Sequence, residues 1–280
     1  MSFNIRGFGM GKDSKISDCH KLLARENPLF VAFQETKCNC VDRNWVSLVW
    51  GSQDFDFIQK EKIGKLGGLL LVWDFNSFSV EQSFVDDYYI AVKGKWVGKN
   101  VETIIVNIYG PHDDTNKQKM WSSLVNFVGA YDLDWVLCGD FNEVRDKTER
   151  QNCQFVERRA TWFNEFIENA KLIDVPMGGK KFMRICDNGI KFSKLDQFLV
   201  SEKFIQTWGD ISVLALERKL SDHCPIVLRD IAIDYGPKSA KVFDEWLDLD
   251  GEDKIIKECW DQKVEGSRAD FVFRKKTQKC

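Results

Sequence analysis

The chain has 280 residues, 44% hydrophobic and 30% charged, with a formal net charge of -3. Such a length and composition suit a soluble globular chain of one large domain, or of a domain with an appendage. No run approaches the ~20 apolar residues of a membrane-spanning helix, and the start, Met1-Ser2-Phe3-Asn4-Ile5-Arg6-Gly7, lacks the pattern of a signal peptide. The nine cysteines include no Cys-x-x-Cys pair, so zinc-site spacing is absent and the thiols are expected to be reduced and intracellular. A slightly acidic chain argues weakly against a simple electrostatic nucleic-acid binder. Local clusters such as Lys60/Lys62/Lys65, Lys93/Lys95/Lys99 and Lys180/Lys181/Arg184 could face phosphates, but each alone reads as solvated surface.

Taken in chain order, residues 3–5 and 29–34 read as strands, with a helix over 17–26 between them that stops at Asn27-Pro28. Strands are predicted over 45–50, 56–59, 68–73, 78–83, 88–93 and 101–109, the last halted by Gly110-Pro111. Residues 116–130 carry Met120, Trp121, Leu124, Phe127 and Val128 near helical spacing. A strand over 135–139 follows, then a helix over 159–170 with Trp162, Phe163, Phe166 and Ile167 on one face. Strands over 194–200 and 226–228 flank a short helix over 201–207. Many strands with a few inserted helices imply two packed sheets flanked by helices. Composition shifts after about residue 229. Tyr235-Gly236-Pro237-Lys238-Ser239 reads as a linker, and 241–262 as an amphipathic helical region. The expected organisation is a domain over 1–230 and a helical connector and tail over 231–280.

Two polar motifs close apolar runs. Gly139-Asp140-Phe141-Asn142 follows Trp135-Val136-Leu137-Cys138, and Ser221-Asp222-His223-Cys224-Pro225 precedes Ile226-Val227-Leu228. An acid, an amide and a histidine at rigid strand ends suit metal-assisted hydrolysis of a phosphoester. Asp and Asn also favour ordinary strand-ending turns, and a lone histidine near a strand is commonly structural. His20 and His112 are read as structural.

In order, the chain offers Asn4 in Asn4-Ile5-Arg6-Gly7 and Glu35 in Gln34-Glu35-Thr36-Lys37, then Tyr109 before Gly110-Pro111. Asp140 with Asn142, Asp196 in Lys194-Leu195-Asp196-Gln197-Phe198, and Asp222 with His223 complete the set. This ordered set, spanning about residues 1–230, resembles the endonuclease/exonuclease/phosphatase superfamily. The resemblance implies an α+β fold of DNase I type, a four-layer α/β sandwich of two packed mixed sheets flanked by helices. Within it, the start Asn4-Ile5-Arg6-Gly7-Phe8-Gly9, residues 139–145 and 159–168, and Gly178-Gly179-Lys180-Lys181-Phe182 look like the endonuclease domain of plant LINE-type retrotransposons. The region after Tyr235 looks like the connector toward reverse transcriptase, so the chain resembles a truncated open reading frame. Met183-Arg184 stands where that branch commonly has Thr or Thr-Trp, and Gln197 where Arg is often found.

By this resemblance Asp140 orients or deprotonates the attacking water, and Asn142 holds water or a phosphate oxygen. His223 donates to a non-bridging oxygen, and Asp196 fixes its tautomer. Tyr109 bonds the phosphate. Glu35, Asn4 and Asp222 form the metal site for Mg²⁺, with Mn²⁺ as the alternative, since hard oxygen ligands suit these cations. Arg6, Lys37 and Arg145 contact DNA phosphates. The expected function is a DNA endonuclease that nicks one strand and leaves a 3′-hydroxyl, acting at nuclear DNA without a membrane or a small organic cofactor. The alternatives are a phosphatase of the same superfamily acting on a small phosphoester, and an inactive relic.

Overall fold

The structure, a computed structural model, describes residues 1–8, 13–63, 66–99, 101–180, 182–185 and 190–229. The chain opens with β1 (Ser2–Asn4), α1 (Asp13–Glu26), β2 (Phe30–Gln34) and α2 (Arg43–Trp50). Five long strands follow: β3 (Asp56–Ile63), β4 (Leu66–Trp73), β5 (Phe78–Val85), β6 (Tyr89–Trp96) and β7 (Glu102–Tyr109). Next come α3 (Asp114–Gly129), β8 (Asp134–Asp140), β9 (Arg150–Gln151), α4 (Glu157–Asn169), β10 (Leu172–Asp174) and β11 (Met177–Gly178). The described chain closes with β12 (Arg184–Ile185), β13 (Phe192–Ser193), β14 (Asp196–Ser201), α5 (Glu202–Trp208), β15 (Ser212–Ala215) and β16 (Ile226–Arg229).

Two mixed sheets form the centre. The first has the order β11-β15-β16-β1-β2-β4-β3, the second β10-β14-β8-β7-β6-β5, and a small third sheet has the order β12-β13-β9. Strand alternation assigns the faces. Phe30 and Ala32 of β2 point between the large sheets with Ile105, Val136 and Phe198, while Val31 and Phe33 point to α1 and α2. Helices α3 and α4 cover the outer face of the second sheet with Trp121, Leu124, Phe163 and Phe166. Burying each such side chain contributes roughly 1.5–3 kcal/mol. The result is the expected four-layer sandwich.

A buried polar bridge aligns the two sheets. Gln34 Nε2 donates to Asn107 Oδ1 at 2.7 Å and to Ser2 Oγ at 3.1 Å. Asn107 Nδ2 in turn donates to the Phe33 and Leu70 carbonyls, each at 3.0 Å. A one-residue slip of β2 would turn Gln34 away and take the donor from Asn107 Oδ1, so the bridge specifies register.

One expectation is corrected. Residues 45–50, predicted as a strand, lie in helix α2. Asp42 caps its N-terminus by accepting from the Trp45 N–H, and Gly51 ends it at φ 97°. Val46 and Val49, three apart, are its buried face. The short strands β9 to β13 and β15 went unpredicted, because two to four residues carry no readable period. The tail expected over 231–280 lies outside the described residues. Among the described residues no helix is long and apolar enough to cross a membrane.

Candidate active site

Strand register brings the predicted acids to one end of the two sheets. Tyr109 lies opposite Asp140 across β7 and β8, and Asp140 lies opposite Asp196 across β8 and β14. Gly139 permits this approach: its φ is 144°, and a Cβ there would collide with the Ile108 carbonyl. On the first sheet, Asn4 ends β1 and Glu35 follows β2. Asn4 Nδ2 donates to Asp140 Oδ2 at 2.8 Å and to Glu35 Oε1 at 3.2 Å, joining the two sheets at the site.

His223 reaches the same cluster. Its Nδ1 lies 2.6 Å from Asp196 Oδ2, and its Nε2 lies 3.8 Å from Asp140 Oδ2. The ring is buried, which lowers its pKa, but Asp196 and then Asp140 raise it to about 9 overall. Asp140 is pushed up to about 6, first by burial; His223 counters the rise and Asp196 adds to it. Asp140, Asp196 and His223 lie close enough to hold a cation. The 2.6 Å contact between Asp196 and the ring is nevertheless a hydrogen bond, which marks these two as a positioned imidazole rather than two ligands.

Glu35 is the carboxylate suited to a cation. Burial raises its pKa, yet hydrogen bonds from Asn4 and Tyr109 and the charge of Lys37 bring it below the ordinary value. The Tyr109 hydroxyl is pushed up by burial and by Glu35 and Asp140, so it remains a donor. Glu35 and Asp140 thus converge on one amide nitrogen, a donor set that fits a hard divalent cation. Asn4 Oδ1 accepts from the Arg6 N–H at 3.1 Å, while its amide nitrogen orients the two carboxylates.

The loop after Asp140 is braced from below. The Asn142 N–H donates to Asp140 Oδ1 at 2.9 Å, and Asn142 Nδ2 donates to the Gly110 carbonyl at 2.7 Å. Lys117, 1% exposed, donates to the Asn142 carbonyl at 2.6 Å and pairs with buried Glu143, which also meets Arg150 at 3.2 Å. Arg6, Glu35, Lys37 and Asn142 all have φ between 49° and 54°. Side chains rarely adopt this left-handed backbone, and its clustering here is strain held by the surrounding structure.

Other sequence expectations fall differently. Asp222, expected at the metal, instead accepts from Arg6 at 2.8 Å and from Arg184 at 3.4 Å. The guanidinium of Arg145 is held by Asn164 at 2.9 Å and Asp174 at 3.4 Å rather than by the cluster. Lys37 lies 3.3 Å from Glu35, at the site. Arg184, dismissed from sequence as part of a surface cluster, is bridged by its backbone to His223 and acts electrostatically on Tyr109 and His112. Lys117 was missed altogether; a lysine within an apolar helix face was its only signal.

The sequence pattern of the Endonuclease/Exonuclease/phosphatase family matches residues 1–223. The chain belongs to this family. No curated protein sequence matches it significantly. Solved structures agree with the family's fold. An AP endonuclease from Leishmania major superposes with a TM-score of 0.67 at 14% identity, over 80% of this chain and 85% of that one. An AP endonuclease from Archaeoglobus fulgidus gives 0.61 at 16% identity, over 81% and 97%. A mannosyl-6-phosphatase from Bacteroides thetaiotaomicron gives 0.56 at 14% identity, over 81% and 97%. At these identities the likeness establishes the fold; the chemistry of this family member has to be argued from its own residues.

Proposed function

We propose that the chain is a DNA endonuclease that hydrolyses one phosphodiester, nicks one strand and leaves a 3′-hydroxyl. The observation that carries this is the convergence of Glu35, Asp140, Asp196 and His223, with Asn4 joining the sheets at their centre. Mg²⁺, or Mn²⁺ in its place, would be held by Glu35 with Asp140 nearby, and when bound would neutralise charge on the phosphoryl oxygens. Asp140, with a pKa near 6, takes a proton from the attacking water as its oxygen bonds to phosphorus; the P–O3′ bond breaks and the departing 3′ oxygen takes a proton from solvent to become the hydroxyl. Protonated His223 donates from Nε2 to a non-bridging oxygen, and Asp196 holds the ring in place. Tyr109 donates its hydroxyl to the phosphate once substrate displaces its contact with Glu35. Asn142 holds the Gly110 loop beneath the site.

Three cations favour a polyanion over a small phosphoester. Arg6 and Arg184 share Asp222 at the site's edge, and Lys37 adjoins Glu35. Guanidinium and ammonium groups at the edge of the site suit contacts to successive backbone phosphates. The resemblance of residues 139–145 and 159–168 to LINE-type endonucleases supports priming of reverse transcription at nuclear DNA as the biological setting.

The test is a supercoiled-plasmid nicking assay with Mg²⁺, with EDTA, and with Asp140→Ala and His223→Ala after circular dichroism confirms folding. Nicking that requires the cation and falls at least ~10²-fold in each variant supports the reading. Folded protein that hydrolyses a sugar phosphate but not DNA would establish the phosphatase alternative. Inactivity on both would establish the relic.

A further inference from the structure

Beneath the candidate active site lies a buried ion cluster that the proposed chemistry leaves unused. Lys117 sits on the face of α3 that also buries Met120 and Trp121. Its ammonium donates to the Asn142 carbonyl at 2.6 Å and pairs with buried Glu143. Arg150 of β9 reaches the other oxygen of Glu143 at 3.2 Å. A buried ion cluster is weak support for a fold, because a methionine would pack the same stem without desolvating a charge. The placement of this cation therefore needs another reason.

We infer, given the activity proposed above, that Lys117 is a positioning residue for the hydrolysis: it fixes the Asn142 peptide, and through it the Asp140 carboxylate. Asn142 has φ 52°, a backbone that side chains rarely adopt and that persists only where neighbours hold it. Lys117 holds its carbonyl, and its N–H donates to Asp140 Oδ1 at 2.9 Å. With Oδ1 taken, Oδ2 is the oxygen that faces Asn4 at 2.8 Å and His223 Nε2 at 3.8 Å. A turned Asn142 peptide would release Oδ1 and let the carboxylate rotate away from the ring.

The far side of the cluster leads to the loop of His223. Arg150 lies opposite Ser193 of β13, and Ser193 lies opposite Arg184 of β12. β12 in turn holds that loop. The Cys224 N–H donates to the Met183 carbonyl at 2.8 Å, and the Ile185 N–H to the Asp222 carbonyl at 2.9 Å. The ion cluster and the three-stranded sheet thus tie the loop of Asp140 to the loop of His223, and Lys117 anchors the tie to α3. A displacement of ~1 Å between reacting groups can cost ~10²-fold in rate, the scale on which such support acts.

The experiment compares Lys117→Met/Glu143→Gln with Glu143→Gln. The two differ only at residue 117, and the double variant has no carboxylate left to strand. Relative to Glu143→Gln, hydrogen exchange of the Asn142 amide is expected to speed up by roughly tenfold or more, while the Leu137 amide of β8 keeps its protection. Plasmid nicking with Mg²⁺ is expected to lose ~10–10²-fold in kcat, with Kd for the DNA in EDTA changed by less than about twofold. Equal kcat, or equal Asn142 exchange, in the two variants overturns the proposal. So does loss of Leu137 protection together with Asn142, which would mark a merely structural role. An Asn142 amide that exchanges freely in the native protein overturns it without any variant. A native protein that nicks nothing would instead refute the proposed activity, and exchange would still decide whether Lys117 holds the loop.

Discussion

Asp196→Asn removes the carboxylate that faces His223 Nδ1 at 2.6 Å while keeping its shape. In the native protein, burial lowers the ring's pKa and Asp196, with Asp140, outweighs that to give about 9 against an ordinary 6.5. A folded-state pKa raised this far stabilises the fold by about 3 kcal/mol. That stability is fully present below pH 6.5 and is lost as pH rises through about 9. For a domain of this size the loss corresponds to a fall in Tm of about 6–12 °C. The buried Met1 amine acts with the opposite sign. Burial lowers it from 8.0 to about 6, so it adds stability as pH rises across that range. Both proteins share that contribution, so the difference between their Tm–pH curves isolates His223. Thermal melts in EDTA from pH 6 to 9.5, followed by circular dichroism, give the two curves. With only Asp140 and, more weakly, Asp222 left to offset burial, the variant is expected to lose most of the His223 contribution, and its nicking rate at pH 7.5 to fall ~10²–10⁴-fold. A variant that keeps the native dependence between pH 6.5 and 9 would refute the assignment of Asp196 as the partner that holds the ring protonated.

Other perturbations follow from the same structure. Gln197 is fully buried, and among the described residues neither its side-chain nitrogen nor its oxygen has a hydrogen-bond partner. Gln197→Met, similar in shape, should therefore stabilise by roughly 1–3 kcal/mol in a denaturant titration, and an unchanged or lower midpoint would contradict this. Lys117→Met strands Glu143 with Arg150 as its remaining cation, at 3.2 Å, and should cost about 3 kcal/mol. Adding Glu143→Gln should recover part of that loss, and a double variant no more stable than the single would show that Glu143 is not the cause. Arg6→Ala and Arg184→Ala should each weaken DNA binding and make the plot of log affinity against log salt shallower by about 1. Salt slopes identical to the native protein would remove these arginines from the DNA surface.

Much of the fold was legible because its signals are local. The apolar runs that became β2, β7 and β8 end at their own polar or Gly-Pro stops, and α3 and α4 announce themselves by the spacing of Met120, Trp121 and Leu124, and of Phe163, Phe166 and Ile167. The candidate site was legible as an ordered set of motifs, since each acid and His223 lies beside a strand that could be read on its own. Residues 45–50 were misread because Trp45-Val46-Ser47-Leu48-Val49-Trp50 suits a strand as well as a helix. The Asp42 cap, the Gly51 stop and the burial of Val46 and Val49 decided it.

The sequence by itself therefore determined which residues could do chemistry and which elements carry them. Only the tertiary structure decided their partners: Asp222 taken by Arg6 and Arg184, Arg145 drawn to Asp174, and Asn4 spanning Glu35 and Asp140. Helix and strand periods arise from backbone geometry repeated over a few residues, so they leave a trace in neighbouring positions. A contact such as Asn4 with Asp140 depends on the register of two sheets whose strands are far apart in the chain, and no local pattern encodes it.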